Sequence, residues 1–292
     1  MGWIMIYAIC NPVAGSGRGL KIGRQVEDYL RAHGVSFEFH LTERPGHAIQ
    51  LARAAGSAMA DTVLAIGGDG TALDVARGIY GSGSALGVIP AGTGNDFIKT
   101  LKTPKEPMEA LKFILSHAAK PTDVGWINGQ LFLNAIGTGF DTAVLDAAAR
   151  FKKRFRGLIP YLLGLLSTLF SYRPVPVTYT LEDGQQVTEE LFVIAAANGG
   201  IIGGGIPIAP DATVEDGLLD VVMIGPVAGR KLLLRLIGLM RGKVLSFPET
   251  TFRRVKELTF SSPGMKINTD GELTPPELVS ARVLPGGLLI HR

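Results

Sequence analysis

The first third of the chain alternates two periodicities. Residues 3 to 9 are apolar and read as a strand that stops at Asn11-Pro12, and Leu20 to Ala32 then takes helical spacing. Between them lies the loop Val13-Ala14-Gly15-Ser16-Gly17-Arg18-Gly19. The pattern recurs, with strands at Val35 to Leu41, Thr62 to Ile66 and Ala85 to Ile89, and helices at Pro45 to Met59 and Thr71 to Tyr80. Alternating strands and helices predict a parallel sheet that receives ligands beyond the carboxyl ends of its strands. All the glycine-rich segments of this region fall at that edge.

Near residue 121 the pattern changes. A helical stretch after Pro104 and Pro107 runs to His117, and strands with turn signals follow. Trp126 to Leu133 reads as a hairpin turning at Asn128-Gly129, and Val175 to Leu181 with Glu190 to Ala197 as a second, turning through Glu182-Asp183-Gly184-Gln185. Further strands are expected at Leu218 to Ile224, Glu257 to Ser261 and Lys266 to Asn268. The fold class is thus an α/β domain with a parallel sheet, plus a mostly antiparallel β-sandwich. Two segments depart from the β pattern. Arg150 to Arg156 is basic and leads into the apolar stretch Gly157 to Phe170, which is shorter than the roughly 20 residues of a membrane span and carries Pro160 and Gly164. Arg230 to Lys243 is a Leu-rich helix bearing five cations, suited equally to an anionic surface or to a core helix with solvated ends.

Composition narrows the class. With 292 residues and 46% hydrophobic content, the chain can bury a large core and make two domains. A net charge of +3 is too weak to argue for nucleic acid. The single cysteine, Cys10, has no partner for a disulfide, so a reducing, cytoplasmic setting is expected. The N-terminal residues lack a basic segment before their apolar stretch, and Gly2 lacks the hydroxyl residue of a myristoylation signal. No repeat or low-complexity tract is visible, and the histidines have no metal-ligand spacing.

Gly67-Gly68-Asp69-Gly70-Thr71 carries the most chemistry. Glycines let backbone N–H groups approach an anion, whereas an aspartate among them repels phosphate unless a cation sits between. A metal-nucleotide fits both. The first loop lacks the Lys-Ser/Thr ending of a P-loop, and its glycines miss the dinucleotide spacing.

Asn11-Pro12 with its loop, Gly67 to Thr71, Gly92-Thr93-Gly94-Asn95-Asp96-Phe97, Pro121 with Asp123, Asn134 to Asp141, Asp216-Gly217-Leu218-Leu219-Asp220 and Asp270-Gly271-Glu272 occur in the order of the diacylglycerol kinase catalytic-domain family. The chain most resembles its soluble bacterial lipid kinases. The resemblance implies a nucleotide-binding domain over residues 1–121, a lipid-substrate sandwich over 122–279, a return of about 280–292 to the first domain, and an active site between the two. It places ATP along Asn11, Pro12, Val13, Ala14, Gly15, Thr42, Gly67, Gly68, Asp69, Gly70, Thr71, Ala72, Leu73, Thr93 and Asn95. Asp69, Asp96 and Asp123 would hold a Mg²⁺ and water network, since Mg²⁺ keeps several waters and needs few direct carboxylates. Glu272 would be the general base, with Asp270, and Asp69 near the phosphates, as further catalytic groups. A second Mg²⁺ would lie on the Asp216 carboxylate and the carbonyls of Thr213 and Leu218.

The implied reaction is phosphorylation of a lipid hydroxyl on diacylglycerol or a relative such as phosphatidylglycerol. The implied partner is a lipid at an anionic membrane surface, with peripheral association and a homodimer allowed. Alternatives are a sphingoid-base kinase, an NAD-type metabolite kinase sharing Gly-Gly-Asp-Gly-Thr, and a lipid-binding regulator without turnover, which has little need of Asp69, Asp96, Asp123 and Glu272 together.

Overall fold

A computed structural model describes residues 5–151, 154–155, 159–169, 171–182 and 184–292. The chain forms two compact units, Met1–Asp123 with Pro285–Arg292, and Val124–Leu284. It leaves the first along β5 (Lys120–Ile127) and re-enters it along β18 (Val279–Ile290).

Unit 1 contains β1 (Met5–Cys10), α1 (Ala14–Ala32), β2 (Ser36–Leu41), α2 (His47–Ser57), β3 (Thr62–Gly67), α3 (Asp69–Ile79), β4 (Ala85–Pro90), α4 (Asp96–Leu101) and α5 (Pro107–Ser116). Its strands are parallel in the order β2-β1-β3-β4, and Leu289 and Ile290 of β18 pair with Ala85 and Leu86 of β4. β3 and β4 are buried along their whole length, the mark of a parallel sheet covered on both faces. Ile6, Ala8, Leu64, Ile66 and Ile89 pack there with Ile22, Val26 and Leu30 of α1 and Leu111 of α5. His291 secures the C-terminus: its Nδ1–H donates to the His117 carbonyl (2.9 Å), and the Thr62 hydroxyl donates to Nε2 (3.0 Å).

In unit 2, β5 and β6 (Gln130–Phe132) form the expected hairpin, with positive φ at both Asn128 and Gly129. β7 (Ala135–Gly139), α6 (Phe140–Phe151) and α7 (Ile159–Leu169) follow, then β8 (Val175–Thr180), β9 (Gln186–Leu191) and β10 (Val193–Ala197). The expected single strand Glu190 to Ala197 is instead two. β9 pairs with β8, whereas β10 lies between β7 and β13 (Leu219–Ile224) of the other sheet. The chain changes sheets at Phe192, whose N–H bonds to the Ile224 carbonyl (2.7 Å) and whose carbonyl receives the Phe140 N–H (2.9 Å). The remaining elements are the short hairpin β11 (Ile201–Ile202) and β12 (Ile206–Pro207), α8 (Gly229–Met240), β14 (Thr250–Val255), β15 (Glu257–Ser261), β16 (Ile267–Thr269) and β17 (Glu272–Thr274).

One sheet of the sandwich runs β14-β13-β10-β7-β16-β17, and both faces of its central strands β10 and β13 are apolar. Ile194, Ala196, Leu219, Val221 and Met223 point into the sandwich core against Phe132, Val177 and Phe260. Their alternates Val193, Ala195, Val222 and Ile224 pack beneath Leu169 of α7, Leu232 of α8 and Phe247. Period-2 alternation with two buried faces yields the continuous apolar run Val193-Ile194-Ala195-Ala196-Ala197.

The basic and apolar segment is only partly described: Lys152, Lys153, Arg156, Gly157, Leu158 and Phe170 lie outside the described residues, as do Gly2, Trp3 and Ile4 at the start of the first apolar run, and Asp183 of the second expected hairpin turn. Within it, α7 is a helix of 11 residues, and no described helix is long and apolar enough to cross a membrane.

Cys10 is buried at the end of β1, its thiol directed at the Gly19 carbonyl, and burial pushes its pKa up to about 11. The thiolate is the reactive form. Labelling of the native protein by a thiol reagent at pH 8 is therefore expected to be slower by about two orders of magnitude than after unfolding in guanidinium.

Candidate active site

In unit 1 the glycine segments meet backbone to backbone. The Gly67 carbonyl accepts the N–H groups of both Ala91 (2.7 Å) and Gly92 (3.1 Å), binding the end of β3 to the end of β4. A Cβ on Gly92 would stand 2.5 Å from the Gly68 Cα, and one on Gly15 would stand 2.2 Å from the Ala91 carbonyl oxygen. Glycine is the residue that these approaches admit. Within α1, Gly15, Ser16 and Gly17 have positive φ, so the first loop winds left-handed before the regular helix begins. Asn11 joins the first loop to the second: its Nδ2 donates to Thr71 Oγ1 (3.2 Å), and its Oδ1 takes the Val13 N–H (3.2 Å). Asn95, also at positive φ, closes the third loop by exchanging two hydrogen bonds with Gly92.

α3 begins directly at Asp69, and Gly68 ahead of it offers no capping side chain. A helix start of this kind leaves N–H groups and a partial positive charge for an anion. Asp69 Oδ1 takes the Phe97 N–H (2.9 Å); burial raises its pKa, and the nearby Asp96 adds to the effect. Asp96 is buried and pairs with Lys99 (2.9 Å). Asp123, also buried, accepts the Gly286 N–H on Oδ1 (2.8 Å). The Thr42 N–H extends the β1–β2 ladder to the Cys10 carbonyl. Ala72 and Leu73 are buried core residues that offer backbone alone, while Val13 and Thr93 are exposed. Pro12 and Ala14 flank Val13 and are half-buried.

Asp270 and Glu272 belong to unit 2, at the turn between β16 and β17, where Thr269 pairs with Glu272 and Asp270 and Gly271 have positive φ. The Asp270 carboxylate is engaged structurally. It accepts N–H groups from Leu133 (2.6 Å), Asn134 (2.9 Å) and Ala135 (3.0 Å), locking the turn to the start of β7. Glu272, two residues on, is exposed. Elsewhere in unit 2, Asp216 Oδ1 takes the Leu218 N–H of its own loop (3.1 Å). Arg254 meets the acidic charge there through Asp220 (3.0 Å), beside which Asp211 and Asp216 also act. Thr213 sits in the same loop. Among the described residues no group of three or more His, Cys, Asp or Glu side chains is assembled to hold a metal. Mg²⁺ does not require one, because one or two carboxylates with waters and phosphate oxygens suffice.

Unit 2 also contains a cavity of about 480 Å³. It opens among α6, α7 and α8 over the outer face of β7 and β10, and Phe140, Leu165, Leu169, Phe192 and Leu236 make its wall almost wholly apolar. Arg235 lines it but is held by both oxygens of Glu249. Asp141 and Asn268 form a polar end. Asn268 Nδ2 donates to Asp141 Oδ2 (3.1 Å), and Asn268 Oδ1 takes the Gly271 N–H (2.8 Å). Asp141 Oδ1 is closed off from water without a hydrogen bond. Burial pushes the Asp141 pKa up to about 6, with Asn268 and the first amides of α6 opposing the shift. Sequence reasoning quoted Asp141 within a motif and assigned it no role; the available signal was an acidic residue opening a helix after a strand of small residues.

The diacylglycerol kinase catalytic domain matches residues 5–127, and the YegS C-terminal NAD kinase β-sandwich-like domain matches residues 134–292. The chain belongs to the diacylglycerol kinase family of lipid kinases. A Mycobacterium tuberculosis protein named diacylglycerol kinase is 29% identical over 98% of this chain and 94% of its own length. A Pseudomonas aeruginosa protein described as a probable YegS-like lipid kinase is 33% identical over 89% of this chain and 86% of its own length. The crystal structure of a proposed diacylglycerol kinase from Bacillus anthracis is 26% identical, covers 99% of this chain and 97% of that one, and superimposes with a TM-score of 0.81. The family is one of ATP-dependent kinases acting on an alcohol group.

Asp141 also has a stability consequence. A carboxyl whose pKa is raised on folding favours the native state in acid, and that contribution is lost as pH rises through about 6. Removing the buried charge is expected to stabilise by on the order of 2 kcal/mol at pH 8. Asp141→Asn should thus melt above the wild type at pH 8, the gap shrinking as pH falls below 6, as differential scanning fluorimetry would record.

Proposed function

We propose that the protein transfers the γ-phosphoryl group of ATP to a hydroxyl of a lipid, with unit 1 holding the nucleotide and unit 2 the lipid. The observation that carries this reading is the apolar cavity of unit 2, joined through Asn268 to the turn that bears Glu272. A cavity of this size with few polar groups suits an acyl chain, not a soluble nucleotide or sugar.

In this reading the phosphates lie along Asn11 to Gly15, Gly67 to Thr71 and Thr93 to Asn95, with Thr42, Ala72 and Leu73 completing the nucleotide site. Bound Mg²⁺ would neutralise charge on the phosphates and would favour ionised Asp69, whose pKa is raised chiefly by burial and further by Asp96. Asp69, Asp96 and Asp123 would hold the ion and its waters near the phosphates. Asp216, Thr213 and Leu218 are assigned a second, structural Mg²⁺ site, although Arg254 already supplies a cation to that loop. Glu272 accepts the proton of the lipid hydroxyl as the bond to phosphorus forms. Asp270 is its positioning residue, since its three backbone hydrogen bonds fix the turn on which Glu272 stands.

Membrane contact follows from the same unit. α7 exposes Ile159, Leu162 and Leu166, and α8 exposes Leu233, Leu234, Ile237 and Met240. Arg230, Lys231, Arg241 and Lys243 accompany the second row. Both helices also wall the cavity, so a lipid entering it leaves a surface to which apolar side chains and cations adhere. The enzyme is thus read as cytoplasmic and peripherally bound to anionic membrane.

Glu272→Gln is expected to lower kcat by about 10² to 10⁴, the usual worth of a general base, with nucleotide affinity unchanged, and Asp69→Ala to abolish turnover. Labelled phosphate transfer from ATP to lipid in mixed micelles measures both, and wild-type rates in the two variants would remove the mechanism. Leu166→Glu with Leu234→Glu should cut sedimentation with anionic vesicles by about tenfold while sparing activity on a short-chain dispersed lipid.

A further inference from the structure

The polar end of the lipid cavity is short of hydrogen bonds. A carboxylate offers about four acceptor sites, and Asp141 has one of them filled by a side chain, Asn268. Its Oδ1 is buried without a well-formed hydrogen bond in a mostly apolar wall, the Asp141 and Thr142 amides of α6 acting on the carboxylate only in part, an arrangement that disfavours folding unless an occupant repairs it. The Asp side-chain torsion is broad, so either oxygen can be turned to a guest. Gly137 beneath it has no side chain, and a Cβ there would press within 3.0 Å of Oδ2.

We propose that Asp141 accepts a hydrogen bond from a second hydroxyl of the acceptor lipid, one that is not phosphorylated. This rests on the lipid-kinase reading and narrows it. Were the lipid to have a single hydroxyl, its proton would go to Glu272 and its ester oxygens, acceptors only, would face another acceptor. A hydroxyl on the neighbouring carbon supplies the missing donor. An ammonium carries three donors, and this end of the cavity offers one undersupplied carboxylate, so a hydroxyl is the better match. Asn268 keeps the carboxylate in place and, through the Gly271 N–H, keeps it in register with the turn that carries Glu272. The specificity group and the proposed base are therefore fixed to each other by two hydrogen bonds.

The test compares monooleoylglycerol with 3-hydroxypropyl oleate, which differ only in the 2-hydroxyl, and includes a long-chain amino alcohol. With ATP and Mg²⁺ in neutral micelles, the wild type is expected to show kcat/KM higher by about tenfold to a hundredfold for monooleoylglycerol, the range for a hydrogen bond to a charged group. Asp141→Asn should bring the two within about twofold, by loss on monooleoylglycerol alone. Displacement of a fluorescent fatty acid from nucleotide-free wild type should show the same order, and this needs neither the variant nor turnover. Equal displacement with equal kcat/KM for the two esters overturns the inference, as does an unchanged ratio in a folded Asp141→Asn. A preference for the amino alcohol overturns the hydroxyl assignment. Absence of any phosphorylated lipid, with displacement still ordered as expected, instead sinks the kinase reading and spares the contact.

Discussion

Backbone approaches at the carboxyl edge of unit 1 govern everything proposed for the nucleotide. The Gly67 carbonyl holds two N–H groups of the next strand's exit, and Gly15, Gly68 and Gly92 lie so near other backbone that a side chain would strike it. Loops drawn together in this way present amides, not side chains, which is the surface a run of phosphates needs. The same closeness explains why Asp69 is costly to ionise. It sits at the start of α3 where water is partly excluded, with Asp96 next to it. On the proposed reading the amides would serve the phosphates and the carboxylates beside them a bound Mg²⁺.

Two aspartates of unit 2 differ in how far hydrogen bonds offset their burial. Asp270 accepts three backbone N–H groups, which fix its turn against the start of β7. Asp141, with Asn268 as its side-chain partner, is pushed up to about 6. A carboxylate with several backbone donors fixes a loop, whereas one left short, as proposed for Asp141, is open to a ligand's donor. Both connect to one hairpin, Asp270 as part of it and Asp141 through Asn268. The hairpin is the element on which lipid recognition and the proposed proton transfer would both depend.

The parallel sheet was legible because a buried strand and an amphipathic helix leave different periods, and Val63 to Ile66 and Val88 to Ile89 are apolar at every position. The Asn128-Gly129 turn was legible because its backbone demands those residues. Residues 190–197 were misread as a single strand because periodicity within a segment does not reveal which sheet it joins. That is decided by the bonds Phe192 makes to Ile224 and Phe140, residues over thirty and fifty positions away. β7 went unread since Ala135-Ile136-Gly137-Thr138-Gly139 has low strand propensity and is a strand because β10 and β16 flank it. In the candidate site, the glycine segments and their acids declared themselves by local composition. The cavity did not, because its wall is assembled from α6, α7, α8 and the outer face of a sheet, and volume is a property of no single segment.

The two-faced sheet of unit 2 links these features. A sandwich needs one apolar face on each sheet, and here β10 and β13 carry two. The second face must be covered, and helices inserted between strands cover it. Their cover is incomplete: α6, α7 and α8 leave about 480 Å³ above β7 and β10, while α7 and α8 also expose leucines to solvent. A helix layer that packed for stability alone would turn those leucines inward and close the gap, since an exposed leucine and a void each forgo favourable burial. On the proposed reading the missing partner of these helices would be lipid, an acyl chain in the cavity and a membrane surface outside it.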